Sequence, residues 1–449
     1  MPADFVPEIH FHPPGSGYVS PEEERNSMKT EYDAAFMRRA IELAKKGNPF
    51  CHPNPLVGAV IVRDGRILAE GWHARYGGLH AEREAIRSLT EPADGAALYV
   101  TLEPCCHQGK QPPCTDAVIS AGIRTVVIGS RDPNPKVAGK GVKKLREAGI
   151  TVYEDVLKDE CDALNPVFFH YITKKMPYVR YKFAMTADGN TAVQSGESKW
   201  ISGPASREMV QRMRSENMGI MVGIGTVLAD DPMLTCRLEG ENFRNPIRII
   251  LDSRLRIPMD SRIVRTAGEI PTIVCAEERS ASGDEKTVTA DKDRYAAEKG
   301  NTVPADKDRY AAEEGNIVPA DPSEEQKEKE NELRRAGITV LRIPVNRKTG
   351  RPDLKTLMAR LAEREIDSIL LEGGGTLAAN ALREGILQEA DAFIAPKFFG
   401  GRGHAPMEGE GVALPEEAWK LEIMEIQRYG DDFFIRYRVK EAEDVYGDH

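Results

Sequence analysis

Two short motifs between Gly71 and Cys114 combine residue types that could hold a metal ion and move a proton. The first is H-A-E, with its histidine at position 80. The second is P-C-C-H-Q-G-K-Q-P-P-C, which ends at Cys114. Zinc prefers thiolate sulfur and imidazole nitrogen, and a catalytic zinc site keeps three protein ligands so that water can take the fourth position. His80, Cys105 and Cys114 supply such a set.

Glu82 lies two residues after this histidine, where it can stay off the metal and carry protons between water and a substrate. This division of labour is typical of zinc deaminases, whose signature is H-x-E followed by P-C and a second cysteine. Eight residues separate Cys105 from Cys114, where deaminases of nucleosides and polynucleotides have two, so another substrate is expected. The alternative is a closed structural site with Cys106 or His107 as fourth ligand, but such a site has no use for the glutamate.

Three stretches in the second half of the chain also suit ligand binding. One is a loop at 186–203 that leads into a helix, and another covers residues 222–237. In the third, a strand ends in Gly373-Gly374-Gly375 and a helix opens. Glycines let the backbone approach a pyrophosphate closely, and a helix N-terminus favours its charge. None of these runs fits G-x-G-x-x-G, so the residues alone predict a nucleotide or phosphate site without establishing hydride transfer.

The elements that must position the zinc motif alternate between helix and strand. Apolar residues at helical spacing predict a helix over Tyr32–Lys46, and two apolar runs around Asp64-Gly65 predict a β-hairpin of Leu56–Val62 and Ile67–Trp72. Further helices are predicted from near His80, from about Cys114, at Val142–Ala148 and up to about Tyr171, and strands at Ala97–Leu102, Arg124–Gly129 and Ile150–Glu154. This order predicts an α/β/α domain.

The alternation restarts after Lys174–Pro177, which predicts a domain boundary there. Strands are expected at Tyr178–Met185, Ile220–Gly223, Arg248–Asp252, Thr272–Cys275, Thr339–Ile343, Ser368–Leu371, Ala392–Pro396 and Phe433–Val439. Helices between most of them favour a largely parallel sheet. We therefore expect a disordered tail at 1–30, one domain at 31–173 and a second at 178–449.

A tandem duplication interrupts the second domain, because residues 291–305 are repeated almost unchanged at 306–320. One repeat of this length is too short for a solenoid, which needs at least three units. The polar, charged composition predicts a surface insertion at about 277–325 with little packed structure and no catalytic role.

Composition limits the class of protein further. Hydrophobic residues make up 41% and charged residues 29%, which is ordinary for a soluble globular protein. No apolar run is long enough to span a membrane, and the N-terminus lacks the pattern of a signal peptide. Seven cysteines, three of them at the metal motif, suit a reducing cytoplasm. A net charge of -10 argues against nucleic acid as a partner.

The motifs together resemble the bifunctional deaminase and reductase family of riboflavin biosynthesis, over about residues 31–440 without the insertion. The resemblance is carried by P-N-P-x-V-G at 53–58, the zinc motifs, G-E-S-K-W at 196–200 and G-T-V-L-A-D-D-P at 225–232. It implies a cytidine-deaminase-like α/β/α domain followed by a dihydrofolate-reductase-like α/β domain. It also implies zinc and NADPH as cofactors, hydrolytic removal of a ring amine from a phosphoribosylaminopyrimidine, and reduction of its ribosyl side chain. A homo-oligomer is compatible with this resemblance.

The resemblance also implies individual binding residues. In the first domain it implies that substrate is bound by Asn54, His73, His107 and Lys110. In the second it implies that substrate is bound by Ser198, Arg214, Leu234, Arg237 and Glu372, and NADPH by Ala184, Trp200, Thr226, Asp230, Gly374, Gly375, Thr376, Leu377, Ala378, Ala379 and Asn380. An arginine pair suits the ribose phosphate, because guanidinium groups bind phosphate bidentately. Ala187 and Cys106 depart from the residues that the family usually has.

Two other hypotheses remain open from the residues. One is a tRNA or cytidine deaminase with an appended nucleotide-binding domain, for which a basic face and the shorter cysteine spacing would be expected. The other is a zinc-stabilised binding module in which one or both sites are inactive. The intact set of His80, Glu82, Cys105 and Cys114 counts against the second hypothesis for the first domain.

Overall fold

The computed structural model describes residues 34–109, 111–240, 242–278, 324–346, 350–401 and 403–440. The tail expected at 1–30, the duplication and residues 279–323 of the expected insertion lie outside these ranges. The chain divides into two compact units, one ending at Lys174 and the other beginning at Lys175. None of the helices in the described ranges has the length and apolar character that a membrane crossing requires.

The first unit is built on a five-stranded sheet of order β2-β1-β3-β4-β5. Its elements are α1 (34–45), β1 (Gly58–Arg63), β2 (Arg66–Trp72), α2 (Ala81–Arg87), β3 (Ala97–Leu102), α3 (Cys114–Ser120), β4 (Thr125–Ser130), α4 (Lys140–Glu147), β5 (Thr151–Tyr153), α5 (Lys158–Asp162) and α6 (Pro166–Lys174). Strand β1 is antiparallel to β2 and β3, whereas β3, β4 and β5 are parallel. The predicted hairpin is confirmed.

Alternate residues of these strands face opposite layers of helices, as the period of two in a strand requires. Ile61, Leu98 and Ile128 pack in the same cluster as residues of α2, α3 and α4. Their neighbours in the strands pack with residues of α1, including Met37 and Leu43. The predicted α/β/α arrangement is therefore confirmed.

The second unit is built on a nine-stranded sheet of order β10-β9-β8-β7-β13-β6-β14-β16-β15. Its strands are β6 (Tyr178–Thr186), β7 (Gly219–Gly223), β8 (Ile247–Leu251), β9 (Thr272–Glu277), β10 (Thr339–Ile343), β13 (Ser368–Glu372), β14 (Glu389–Ala395), β15 (Leu421–Tyr429) and β16 (Asp432–Val439), with a separate pair β11 (Val345–Asn346) and β12 (Arg351–Pro352). Its helices are α7 (Pro204–Glu216), α8 (Ile224–Asp230), α9 (Arg262–Arg265), α10 (Glu324–Arg335), α11 (Leu354–Ala362), α12 (Gly375–Arg383) and a 3-10 turn at Pro415–Glu417.

The sheet is parallel from β10 to β14, and β16 and β15 complete it as an antiparallel hairpin. Apolar residues of α11 and α12 cover one face of the parallel part. Residues of α8, α9 and α10 form another core cluster with β7, β8, β9 and β10, and α7 packs on Leu370, Phe393 and Phe434. The largely parallel sheet that the sequence predicts is confirmed.

Two differences from the predicted elements of the large sheet lie where charged residues occupy its strands. Strand β14 begins at Glu389, three residues before the predicted start, because Arg180 binds Glu389 at 2.7 Å and Arg436 binds Asp391 at 2.9 Å. The edge strand β15 was not predicted at all. Its residues are mostly exposed, so its sequence lacks the apolar run of a buried strand.

Candidate active sites

The three predicted zinc ligands lie at the carboxyl end of the first sheet and at the start of two helices. His80 is the N-cap residue of α2, and its extended backbone (φ -71°, ψ 159°) turns the chain into the helix. Cys105 follows β3 in a loop, and Cys114 is the first residue of α3. Positions at helix N-termini favour a thiolate, because the positive end of the helix dipole stabilises negative charge.

These side chains meet although the first and last ligands are 34 positions apart in the sequence. Nδ1 of His80 lies 3.5 Å from Sγ of Cys105 and 3.3 Å from Sγ of Cys114. All three potential ligand atoms lie within 4.8 Å of one another. The backbone N–H of Cys114 also donates to Sγ of Cys105 at 3.4 Å. The hydrogen bond between the two thiol groups lowers the pKa of Cys105 and, together with burial, raises the pKa of Cys114, so Cys105 carries the negative charge of this pair.

Two thiol sulfurs and one imidazole nitrogen at these distances fit zinc, which takes such ligands in tetrahedral geometry. Cys106 and His107 contribute no atom to this cluster among the described residues. The arrangement is thus a three-ligand site of the kind that leaves room for water, in preference to the closed structural site. Glu82, on the first turn of α2, is only 3% exposed, and burial raises the pKa of its carboxyl group.

Asn54 and His73 form a hydrogen-bonded pair beside the cluster. Nδ1 of His73 lies 2.9 Å from the carbonyl oxygen of Leu79, which can only accept, so this nitrogen carries the proton. Nε2 of His73 then accepts from Nδ2 of Asn54 at 3.0 Å, and burial lowers the pKa of His73 and keeps the ring neutral. This hydrogen bond fixes the orientation of the Asn54 amide and leaves its oxygen available to accept a hydrogen bond from a ligand. His107 has a buried Nδ1 without a hydrogen bond, and Lys110 lies outside the described residues.

In the second unit, Glu372 and Arg214 form a bidentate ion pair at the carboxyl end of β13. Nε and Nη2 of Arg214 donate to the two carboxylate oxygens at 2.7 and 2.8 Å. The third nitrogen, Nη1, donates to the carbonyl oxygen of Thr235 at 3.1 Å. Burial alone would raise the pKa of Glu372, but the charge and hydrogen bonds of Arg214, with Lys182 and Arg237, lower it to about 2.

Lys182, which sequence reasoning missed, lies opposite Glu372 in the register of β13 and β6. Burial and the charge of Arg214 lower the pKa of Lys182, and Glu372 opposes them. The signal in the sequence was a lysine inside a strand that is apolar apart from Arg180, Lys182 and the last residue, Thr186. Of the other predicted substrate residues, Leu234 is buried with φ 51°, and the backbone N–H of Arg237 donates to Gln211 at 2.9 Å. Ser198 is exposed on the loop between β6 and α7.

The glycine run after β13 makes the expected sharp turn into a helix. Gly373 and Gly374 both have φ +71°, a conformation that residues with a side chain rarely adopt. A Cβ atom on Gly373 would lie 3.0 Å from Oγ1 of Thr226, so this turn lies against the first turn of α8, the helix that ends at Asp230. Most of the predicted cofactor residues thus surround one turn.

The remaining predicted cofactor residues differ in what they can offer. Leu377 and Ala378 point into the core, so only their backbone can contact a ligand. The Asn380 amide oxygen accepts from Arg351 at 2.7 Å. Trp200 is 66% exposed, with the Arg207 guanidinium 4.5 Å from its ring centroid. Ala184 lies in β6, beside Phe393 of β14.

Comparisons with known proteins agree with both units. A family model described as the cytidine and deoxycytidylate deaminase zinc-binding region matches residues 30–130. A model described as the RibD C-terminal domain matches residues 177–291 and 294–435. The riboflavin biosynthesis protein RibD of Actinobacillus pleuropneumoniae is 45% identical over 92% of this chain and 97% of that protein.

Two solved structures are similar over nearly the whole chain. RibD of Acinetobacter baumannii is 32% identical, with a TM-score of 0.73, and covers 92% of this chain and 100% of its own. A diaminohydroxyphosphoribosylaminopyrimidine deaminase/5-amino-6-(5-phosphoribosylamino)uracil reductase of Thermotoga maritima is 36% identical, with a TM-score of 0.71 and the same two coverages of 92% and 100%.

Fold and sites together define a zinc-dependent deaminase joined on one chain to an NADPH-dependent reductase. The chain belongs to the RibD family, the bifunctional deaminases and reductases of riboflavin biosynthesis. The fold class implied by the resemblance is confirmed: a cytidine-deaminase-like domain precedes a dihydrofolate-reductase-like one. A tRNA or cytidine deaminase with an unrelated appendage, and an inactive binding module, are both less consistent with a family match across about nine-tenths of the chain.

Proposed function

We propose that the first unit removes the ring amine of 2,5-diamino-6-(5-phosphoribosylamino)pyrimidin-4-one by hydrolysis. The second unit then uses NADPH to reduce the ribosyl side chain of the resulting 5-amino-6-(5-phosphoribosylamino)uracil, which gives 5-amino-6-(5-phosphoribitylamino)uracil. The observation that carries this proposal is the buried Glu82 carboxyl group beside the His80, Cys105 and Cys114 cluster, on the same chain as the Arg214–Glu372 site. The Thermotoga neighbour, whose name states both activities, supports it.

In the deaminase, His80, Cys105 and Cys114 would hold zinc, which when bound acidifies water and so supplies a nucleophile at neutral pH. Glu82 takes a proton from the attacking water and returns protons to the ring nitrogen and to the leaving ammonia. Its burial favours this exchange, because burial raises the pKa of the carboxyl group and so makes its carboxylate a stronger base toward the proton of water.

Asn54 orients the pyrimidine through its amide, and His73 holds that amide in place. His107 and Lys110 follow Cys105 on the long loop that nucleoside and polynucleotide deaminases lack. We assign them to the part of the substrate beyond the ring, where the ammonium group of Lys110 suits a phosphate. This assignment explains why the longer loop accompanies a phosphorylated substrate.

In the reductase, the guanidinium group of Arg214 is already bound to Glu372 and Thr235. We therefore assign the substrate phosphate to Arg237, and to Arg214 the role of holding the Glu372 carboxylate toward the ribosyl hydroxyls. The Lys182 ammonium, with a pKa that burial lowers, is placed to donate a proton as the hydride arrives from NADPH. Gly374, Thr226 and the first turn of α12 would bind the cofactor pyrophosphate through backbone N–H groups.

The two activities are tested separately. Ammonia release from the diaminopyrimidine substrate, measured without NADPH, tests the first unit. NADPH oxidation with the deaminated uracil as the only substrate tests the second unit. Ammonia release without oxidation of NADPH by the fresh intermediate would leave a deaminase alone, and oxidation without ammonia release would leave a reductase alone.

We also propose that the chain associates with a second copy through β15. This edge strand exposes Leu421, Ile423, Met424 and Ile426 by 42 to 60%, and a solvent-exposed apolar edge strand is a template for pairing. Its glutamates are paired within the hairpin, Glu425 with Arg436 at 3.0 Å and Glu422 with Arg438 at 3.5 Å. The apolar side chains thus form the part of this edge that a partner would cover.

Nucleic acid is not a proposed partner, since the net charge of -10 disfavours a polyanion. We infer a cytoplasmic location, for which the support is the count of seven cysteines, an odd number with three of them at the metal motif. Formation of a disulfide within the folded protein under mild oxidation, with both activities retained, would count against this inference.

A further inference from the structure

We propose that Glu103 is a positioning residue for the zinc site, acting through the chain that carries Cys105. Glu103 follows β3 directly and is 4% exposed. Its carboxylate accepts three backbone N–H groups from the start of α4: Gly139 at 3.0 Å, Gly141 at 3.0 Å and Val142 at 3.2 Å. These donors are among the groups that a helix N-terminus leaves without partners inside the helix.

This cap is unusual in its origin, because the carboxylate comes from a strand end and not from the residue that precedes the helix. Gly139 occupies the N-cap position of α4 and has no side chain to supply. The helix dipole and three N–H donors stabilise a carboxylate at this place. The start of α4 and the end of β3 are therefore held together by Glu103.

The same contact continues into the metal loop. A Cβ atom on Gly141 would lie 2.2 Å from the carbonyl oxygen of Pro104, so the backbone of Pro104 rests directly on α4. Cys105 comes next, and on its far side α3 donates to it twice: Cys114 N–H to its sulfur at 3.4 Å and Thr115 N–H to its carbonyl oxygen at 3.1 Å. Cys105 is thus fixed between α4, through Glu103, and α3.

Loss of this clamp lets the Cys105 sulfur leave its position relative to His80 and Cys114. Changes in the groups that orient metal ligands cost roughly 10–100-fold in metal affinity. We expect a loss in that range for zinc binding by Glu103→Ala and by Gly141→Ala. The Cβ added at Gly141 would lie 2.2 Å from the Pro104 carbonyl oxygen and 3.1 Å from Oε1 of Glu103, so this second change disturbs the same contact while the carboxylate is kept. Glu103→Gln keeps one oxygen for Gly141 and Val142, so its loss is smaller.

The experiment measures zinc affinity of the full-length protein by competition with a chromogenic chelator, together with the visible spectrum of the Co²⁺-substituted protein. The matched control is Gly109→Ala on the same loop, where an added Cβ would meet its nearest atoms at 3.9 Å and zinc affinity should stay at the wild-type value. The proposal is supported if Glu103→Ala and Gly141→Ala both show altered Co²⁺ absorption bands and a lower zinc affinity. The zinc affinity of Glu103→Gln should then lie between theirs and that of the wild type.

Wild-type zinc affinity and an unchanged Co²⁺ spectrum in folded Glu103→Ala would overturn it, even if that variant melted at a lower temperature. If the first unit fails to fold in Glu103→Ala, Gly141→Ala and Glu103→Gln alike, these contacts contribute to general stability, and the proposal is overturned as well. The inference rests on the proposed ligation by Cys105. A wild-type protein that binds no zinc would refute that ligation, whereas zinc binding equal in wild type and variants would refute the role of Glu103 alone.

Discussion

At the scale of single residues, the chemistry proposed for both units depends on charged groups that are buried beside a specific partner. Glu82 lies next to the zinc ligands, and Lys182 lies next to Glu372 and Arg214. The sequence motif alone predicts a proton-carrying role for Glu82, because H-x-E followed by P-C is a specific signature of zinc deaminases. It was not sufficient for Lys182, whose meaning depends on a residue of β13 that is far away along the chain.

Glu82→Gln should retain zinc and lower the rate of ammonia release by a factor of about 10²–10⁴, the usual contribution of a general acid or base. The amide has the same size but cannot accept the proton. Zinc content by mass spectrometry and ammonia release by a coupled assay check this. Glu84→Gln, on the same helix but in an ion pair with Arg87, is the control and should keep full activity. Undiminished turnover by Glu82→Gln would remove Glu82 from this role.

Lys182→Met should lower kcat for NADPH oxidation by a factor of about 10² or more, while NADPH binding and ammonia release stay unchanged. Methionine fills similar space without a proton to donate. Stopped-flow absorbance of NADPH checks the chemical step, and Lys355→Met, an exposed lysine on α11, serves as the control. A variant with normal kcat and a raised KM for substrate would reduce Lys182 to a binding residue.

Asp132 should make stability depend on pH in a predictable direction. Burial raises its pKa to about 6, with Glu103 adding to the effect, so between about pH 4 and 6 the folded state keeps a proton that the unfolded state has lost. Stability therefore falls as pH rises through that window. Asp132→Asn should be more stable than wild type above pH 6, by on the order of 2 kcal/mol, and no different below pH 4. Urea titrations of both proteins above pH 6 and below pH 4 measure this. The same difference in free energy of unfolding between variant and wild type in both ranges would contradict the prediction.

At the scale of elements, the helix and strand pattern of both units could be read from the sequence wherever strands were apolar. The hairpin at β1 and β2 and the helix after the glycine run are examples. The start of β14 and the whole of β15 could not be predicted from the sequence, because their charged residues form ion pairs with residues on neighbouring strands. Glu389 and Arg180, for instance, pair over a separation of 209 residues.

Gly373→Ala tests the turn between β13 and α12. Its φ of +71° and the Thr226 hydroxyl at 3.0 Å both oppose a side chain. Strain of this kind costs about 1–3 kcal/mol, so we expect NADPH affinity to fall by about tenfold or more. Fluorescence titration with NADPH measures it, and Gly268→Ala, where an added Cβ meets nothing within 4 Å, should bind NADPH normally. Equal affinity in the two variants would mean that the turn does not hold the cofactor.

At the scale of the whole molecule, two separate cores support two chemistries on one chain. The proposed zinc ligands could be predicted because their residue types and motifs are chemically distinctive, whereas the proposed reductase residues are spread over several strands, helices and loops. Their identification therefore depended on the resemblance first and on the structure second. The proposed self-association surface has still less of a signal in the sequence, because β15 mixes charged and apolar residues without a buried face.

Ile426→Glu should shift the protein from a multimer to a single chain, because a charge on the exposed apolar edge opposes pairing with a second copy. Light scattering after size-exclusion chromatography gives the mass. Leu414→Glu is a useful control, since Leu414 is also exposed, at 51%, but lies outside the edge strand. A wild-type protein that already has the mass of one chain would refute the interface.

The most direct test of the central claim is to supply the diaminopyrimidine phosphate with and without NADPH and to identify the products by mass. Without NADPH we expect a single product in which the ring amine is replaced by oxygen. With NADPH we expect that product to gain two hydrogens on its side chain, and Glu82→Gln should yield neither. Reduction of the substrate while its amine is still present, or deamination that continues undiminished after zinc is removed, would contradict the account.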